Sequence, residues 1–343
     1  MMENTESLKI LLRLPNWLGD AVMASPAFEM LKAHFPNATF SIVGTEASCG
    51  IFSRDLRVDK IFIDSTKISQ GRKNNLKNRI IATKKFANEI GHHDIAIDFT
   101  NHFFSALLMY FTKAKMRLGY AKNGRGILLN KKIPFKKHIH QVALYLNLAN
   151  AICGKKLIES SDSKDLIESN PLHLISHSLK GFKSHNKPCI GINPGAAYGS
   201  AKQWEEKYFI EIILYFLNEG YEVFIFGNEN VELPQNITQN PHFTNLIKKT
   251  SILELLDYIA VMDIFISNDS GPAHIAAAFK IPLIVIFGPT SAKETSPWCE
   301  NAVILDKHLP CAPCKKRECP LKHHNCMKLI TPDEVIECVH KML

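Results

Sequence analysis

No apolar stretch in this chain of 343 residues approaches the roughly 18 needed to cross a bilayer. Even residues 281–292 are too short and carry two prolines. A signal peptide is not read either, because the run Ile10-Leu11-Leu12 is brief and Arg13, Pro15 and Asp20 follow at once. Short-period repeats and low-complexity segments are absent. With 46% hydrophobic and 22% charged residues, the composition is that of ordinary globular domains. A membrane span, a disordered chain and a fibrous one are excluded, and a soluble, cytoplasmic protein is the expectation.

Acidic residues are the scarcer sign. The 33 Asp and Glu against 41 Lys and Arg leave a formal charge of +8, with 15 His counted as neutral. That suits an anionic partner without choosing among phosphorylated sugar, nucleotide, nucleic acid and membrane surface. Two familiar phosphate loops are missing: neither Gly-x4-Gly-Lys-Ser/Thr nor Gly-x-Gly-x-x-Gly occurs. Basic segments interleaved with aromatics are missing too, so no nucleic-acid partner is expected.

What is present is a rhythm. The length allows about two domains. Short apolar runs at 9–14, 39–43, 60–64, 95–99 and 115–119 alternate with helical patterns at 27–35, 78–90 and 103–111. The runs are almost wholly apolar, which suits parallel strands covered on both faces. From about residue 155 Ser, Lys, Asp, Asn and His accumulate, and the rhythm resumes at 189–193. Strands at 222–226, 264–267 and 283–287 then alternate with helices at 205–218, 252–261 and 272–280. The pattern predicts an α/β chain of two doubly wound, Rossmann-like domains facing a cleft: residues 1–170, a linker at 171–187, and residues 188–330.

Ligands in such sheets bind beyond the carboxyl ends of the strands. The first strand there runs into Pro15-Asn16-Trp17-Leu18-Gly19-Asp20, where Asp20 suits a general base beside a glycine that admits a close ligand. An aspartate favouring a helix start is the plainer alternative. The loop from Asn193 to Trp204 offers Gly195, small residues and Lys202 to an anion, or is a surface loop with a solvated lysine. In Ser267-Asn268-Asp269-Ser270-Gly271-Pro272-Ala273-His274, Pro272 marks a helix start capped by Ser270 or Gly271, whose free amides could hold a diphosphate. Asp269 is expected on the lip, accepting from a sugar hydroxyl. Glu229, after the strand at 222–226, could bond a ribose or be a surface glutamate.

Nine cysteines in such a chain read as thiols or metal ligands rather than disulfides. Cys311, Cys314, Cys319 and Cys326 could hold a structural Zn²⁺, or belong to a compact proline-rich loop. Basic residues at 113–117, 131–132 and 136–138 suit an acceptor groove or a solvated face.

The segments 14–20, 193–204, 267–274 and 281–290, in this order and spacing, resemble the glycosyltransferase family 9 of ADP-heptose:lipopolysaccharide heptosyltransferases over nearly the whole chain. The Asn-Trp-Leu-Gly-Asp opening, the Gly-x-Ala-Lys-x-Trp loop and the late Cys cluster resemble its heptosyltransferase II branch. That resemblance implies the GT-B architecture, with residues 1–170 binding the acceptor, residues 188–330 the nucleotide sugar and a helix at 331–343 packing back on the first domain, and an inverting transfer of heptose from ADP-L-glycero-β-D-manno-heptose onto the first heptose of the lipopolysaccharide inner core. Branches I and III, acting on Kdo or a later heptose, are alternatives, and a nucleotide-sugar epimerase of the same fold is a more distant one. The same resemblance implies Asp20 as general base and Lys202 on the departing phosphates. Gly195, Ala197, Tyr198, Glu229, Thr250, Asp269, Ser270, Gly271 and His274 are assigned to the donor. Where relatives carry other residues, this chain has Ala197 and Tyr198. No cofactor is expected to be required, with stimulation by a divalent cation left open. Peripheral contact with the cytoplasmic face of the inner membrane is expected.

Overall fold

Aliphatic runs without alternating polar residues can be buried on both faces only in a parallel sheet flanked by helices, and such sheets form here. The computed structural model describes residues 7–66, 76–161, 164–179 and 187–343. The chain divides into two units, Met1–Asp162 and Ser163–Leu343. Of the linker expected at 171–187, residues 180–186 lie outside the described residues.

In the first unit β1 (Lys9–Arg13), β2 (Thr39–Gly44), β3 (Val58–Ile63), β4 (Ile95–Asp98), β5 (Met116–Tyr120) and β6 (Lys131–Ile133) make one sheet in the order β3-β2-β1-β4-β5-β6. Every neighbouring pair is parallel. The winding reverses between β1 and β4, so the loops leaving those strands diverge and open a crevice there. The helix Leu76–Ile90 packs on Phe103–Phe111, and Ser25–His34 packs on Gln141–Cys153. The last of these is capped by the His140 ring, which accepts from Val142 N at 3.2 Å. The edge strand β3 is largely exposed and carries Asp59 and Lys60, charges that discourage edge-to-edge pairing.

The second unit repeats the plan. β7 (Cys189–Asn193), β8 (Glu222–Ile225), β9 (Phe243–Asn245), β10 (Ile264–Asn268), β11 (Leu283–Ile286) and β12 (Ala302–Leu305) form a parallel sheet in the order β12-β11-β10-β7-β8-β9. Read from its other edge, this is the strand order of the first sheet. The crevice therefore falls between β7 and β10. Helix Glu206–Asn218 buries Phe209, Ile212, Ile213 and Phe216, spaced i, i+3, i+4, i+7. The terminal helix Pro332–Met342 is held at its start by a capping box between Thr331 and Glu334. Its Val335 and Val339, one turn apart, join the core of this unit as the helix packs on Glu206–Asn218 and β11. Full burial of two valines contributes on the order of 3 kcal/mol or more.

Candidate active site

Four loops meet at the crevice of the second sheet, and two asparagines tie the loops after β7 and β10 together. Asn193, the last residue of β7, donates through Nδ2 to Ser270 Oγ (3.0 Å), Ser267 Oγ (3.3 Å) and Gly195 O (3.1 Å). Asn268, the last residue of β10, donates to Pro194 O (2.6 Å) and accepts from Trp204 N (3.1 Å). Both asparagines are buried. The loop 194–204 is thus pinned at both ends. The Trp204 indole anchors the far end, donating to Ile330 O at 2.9 Å.

This loop presents Lys202, whose ammonium pairs with Asp269 and lies 4.9 Å from the centre of the Tyr198 ring. Asp269 does not stand on a lip: it is 5% exposed, and the oxygen that meets Lys202 also accepts from Thr290 Oγ1 at 2.5 Å. Lys202 is itself only 12% exposed at its side chain, so a compact cation is set where solvent screens it little. Next along the chain, Gln203 donates to the Glu229 carboxylate, bringing the loop after β8 against the loop after β7. Gly195 faces Glu229, with 3.9 Å between the glutamate Cδ and the place a Cβ would take. Thr250 follows in a neighbouring loop, tied in by Lys248 N donating to Gly227 O at 2.9 Å.

The helix Gly271–Ala278 begins here, with Gly271 first and Pro272 second. Ser270 occupies the cap position, yet its side chain makes no cap bond and joins Asn193 and Ser267 instead. The amides of Gly271 and Ala273 at the positive end of the helix are consequently left uncapped by Ser270. His274 lies in the first turn, 4% exposed, and its Nδ1 has no partner. Burial pushes its pKa down to about 4; Asp269 opposes this and Lys202 adds to it. A buried, unpaired ring nitrogen beside open helix amides is unfavourable until something polar meets it. Ala197 is exposed and Tyr198 half-buried at the loop tip.

The first unit places Asp20 in the first turn of the short helix Leu18–Met23, half-buried, after Trp17, which is 48% exposed. Burial raises the Tyr145 hydroxyl well above its ordinary pKa, and the charge of Asp20 nearby pushes the same way. Residues not singled out by motif gather beside this loop. Buried Arg13 at the end of β1 bonds Asn16 Oδ1 (2.9 Å) and Asp64 Oδ2 (2.8 Å), and shares a pocket with Arg79, His102 and Ser105. The Nε atoms of Arg13 and Arg79 are buried without partners. An arginine inside a strand was the only signal available for this. Of the basic residues expected to form a groove, Arg117 donates to Leu128 O and Ala114 O, and Lys115 pairs with Asp94 at 2.8 Å. Lys131 and Lys132 are exposed on β6.

Among the described residues, no group of three or more His, Cys, Asp or Glu side chains is arranged to hold a metal ion. No described helix is long and apolar enough to cross a membrane.

Comparison with known proteins places this geometry in company. Residues 83–325 match the model of glycosyltransferase family 9 (heptosyltransferase). The lipooligosaccharide heptosyltransferase 2 of Campylobacter jejuni subsp. jejuni serotype O:6 is 36% identical over 345 residues, covering 98% of this chain and 99% of that relative. The solved ADP-heptose lipopolysaccharide heptosyltransferase II of E. coli superposes with a TM-score of 0.76 at 24% identity, covering 98% of both chains. A glycosyl transferase family 9 structure from Veillonella parvula gives 0.77 at 20% identity, covering 98% of this chain and 97% of that one.

Proposed function

Because the chain belongs to glycosyltransferase family 9, the heptosyltransferases, we propose that it moves L-glycero-D-manno-heptose from ADP-heptose onto the first heptose of the lipopolysaccharide or lipooligosaccharide inner core, with inversion. The heptosyltransferase 2 relatives favour this acceptor over Kdo or a later heptose. One observation carries the donor reading: Lys202 is held by Asp269 in the same loop cluster as the open amino end of helix Gly271–Ala278, with the unpaired His274 in its first turn. A diphosphate offers oxygens to all three.

Inversion is a single displacement. Asp20 takes the proton from the acceptor hydroxyl as that oxygen bonds the anomeric carbon, and the bond to the β-phosphate oxygen breaks on the opposite face. A positioned base contributes ~10²–10⁴ in rate. Charge then collects on ADP, where Lys202 and the amides of Gly271 and Ala273 stabilise it without reorganising. Asp269 and Thr290 position Lys202. Glu229, steadied by Gln203, takes the nucleoside, and the open face of Gly195 lets the donor approach the backbone. Ser270, Thr250, Ala197 and Tyr198 complete the donor surroundings. In the first unit, Arg13 and Arg79 suit an anionic group of the core, and Trp17 a sugar face. We place the reaction on the cytoplasmic face of the inner membrane, where exposed Lys131 and Lys132 favour peripheral contact with anionic lipid.

The test is ADP release from ADP-heptose with no acceptor, with a core ending in Kdo, and with a core carrying one heptose. Release only with the last supports the proposal. Release with the Kdo-ended core reassigns the acceptor, and none under any condition from folded protein removes the donor.

A further inference from the structure

Four of the nine cysteines, Cys311, Cys314, Cys319 and Cys326, line one cavity of about 20 Å³ between the loop 311–326 and Ala201. That volume holds little more than one water-sized body. Cys311 is exposed, Cys314 and Cys319 half-buried, and Cys326 buried at the start of helix Asn325–Lys328. The cluster is built, not incidental. The loop folds back on itself here, with Lys322 N donating to Cys319 O at 3.1 Å. This turn holds two non-glycine residues in the left-handed region, Lys322 (φ 59°) and His324 (φ 58°), a conformation most side chains avoid. The two histidines of the cavity have other partners. His324 Nε2 is 3.0 Å from Ala201 O, and His323 Nδ1 accepts from Asn325 N at 2.9 Å. That leaves the four sulfurs and His323 Nε2, which lies 4.0 Å from Cys311 Sγ.

We propose that these four thiols bind one thiophilic divalent ion, zinc or ferrous iron, as a structural staple for the loop carrying Lys202. Four soft donors in sixteen residues match tetrahedral thiolate coordination. The described sulfurs border the cavity without meeting at one ligating point, so capture tightens the loop: one dication is bound, four S–H bonds are given up, and four protons leave. With four thiolates no position stays open for substrate, so the ion is structural.

The staple has a definite object. The same loop supports residues 198–201: Arg317 O accepts from Ala201 N at 3.0 Å, and Lys315 O from Tyr198 Oη at 2.9 Å. At Gly199 (φ +149°) a Cβ would come within 2.4 Å of Arg317 O, so only glycine permits this approach. Fixing 311–326 therefore fixes the stretch from which Lys202 projects. This consequence rests on the donor reading given above, but the metal itself does not.

The experiment measures zinc and iron by elemental analysis of freshly purified full-length protein, alongside native thiol titration with and without a chelator. About one equivalent of either metal per chain is expected, lost in Cys311→Ser and Cys319→Ser and kept in Cys338→Ser, which lies outside the cavity. Cys311 is exposed, so its variant tests ligation where Cys319→Ser fails to fold. In the wild type, chelation is expected to expose four additional thiols as the metal departs. Neither metal in the wild type, with thiol reactivity unchanged by chelator or by added zinc or ferrous ion, overturns the proposal. A bound metal whose removal leaves ADP affinity unchanged keeps the site and removes only its coupling to Lys202.

Discussion

Asn193 and Asn268 close the ends of neighbouring strands by reaching across one another: the side chain on β7 bonds Ser270 in the loop after β10, and the side chain on β10 bonds Pro194 and Trp204 in the loop after β7. Neither residue needs to touch substrate to matter. Each holds the other's loop in register, and the two loops carry Lys202 and the helix amides.

Replacing Asn268 by Ala leaves a buried carbonyl and a buried amide unpaired at once. Orphaned groups of this kind cost about 1–3 kcal/mol each. Urea unfolding is expected to show a loss on the order of 3 kcal/mol, with a raised donor KM in whatever folds. Unchanged stability would show that water replaces both bonds.

Asp20→Ala is expected to keep ADP-heptose affinity while turnover falls by ~10²–10⁴, the contribution of one positioned base. Equilibrium binding and acceptor-dependent ADP release separate the two. Turnover like that of the wild type would sink the assigned role.

Lys202→Ala is expected to weaken both donor binding and turnover, because the ammonium meets charge present in the ground state and charge that grows during departure. Asp269→Asn keeps the lysine and loosens its placement, so it should act mainly on turnover. If Lys202→Ala leaves the KM and kcat intact, the diphosphate is held elsewhere.

His274 gives a pH dependence of known sign. Burial holds it neutral in the fold, with its pKa at about 4, whereas in the unfolded chain it protonates near its ordinary value. Unfolding in that window therefore takes up a proton. The stability that neutral His274 preserves is complete above pH ~6.5 and is lost as pH falls toward 4, by on the order of 3 kcal/mol. Denaturation at pH 7 and pH 4.5 should show a smaller drop in His274→Asn than in the wild type. Equal drops would assign the effect to other groups.

Much of this was legible in the residues. The strands Cys189–Asn193 and Ile264–Asn268 are buried along their whole length, so their apolar runs announced themselves, and the glycines, prolines and charges of the intervening loops marked the crevice. Strands β6, β9 and β12 went unread because they are edge strands of three or four residues, half-exposed or carrying lysine. Helix Gln141–Cys153 escaped for the opposite reason: it is buried nearly all round, which erases the one-sided stripe that identifies a surface helix. Asp269 was misread because a carboxylate at a strand end looks the same in sequence whether it faces solvent or a buried lysine. Lys202 lies 67 positions away, a pairing that only the fold supplies. Arg13 and Arg79 could not be joined either, since one sits inside a strand and the other on a helix.

The shared strand order of the two sheets bears on how such a molecule diversifies. In each, the first strand delivers its loop to the crevice where the winding reverses, and the two loops carry opposite charges, Asp20 in one and Lys202 in the other. The repeated frame thus offers a carboxylate at one place and an ammonium at its counterpart. Because each loop hangs on its own hydrogen-bonded sheet, substitutions in one leave the strand register behind the other intact. Such a chain can change the chemistry of one loop while keeping that of the other.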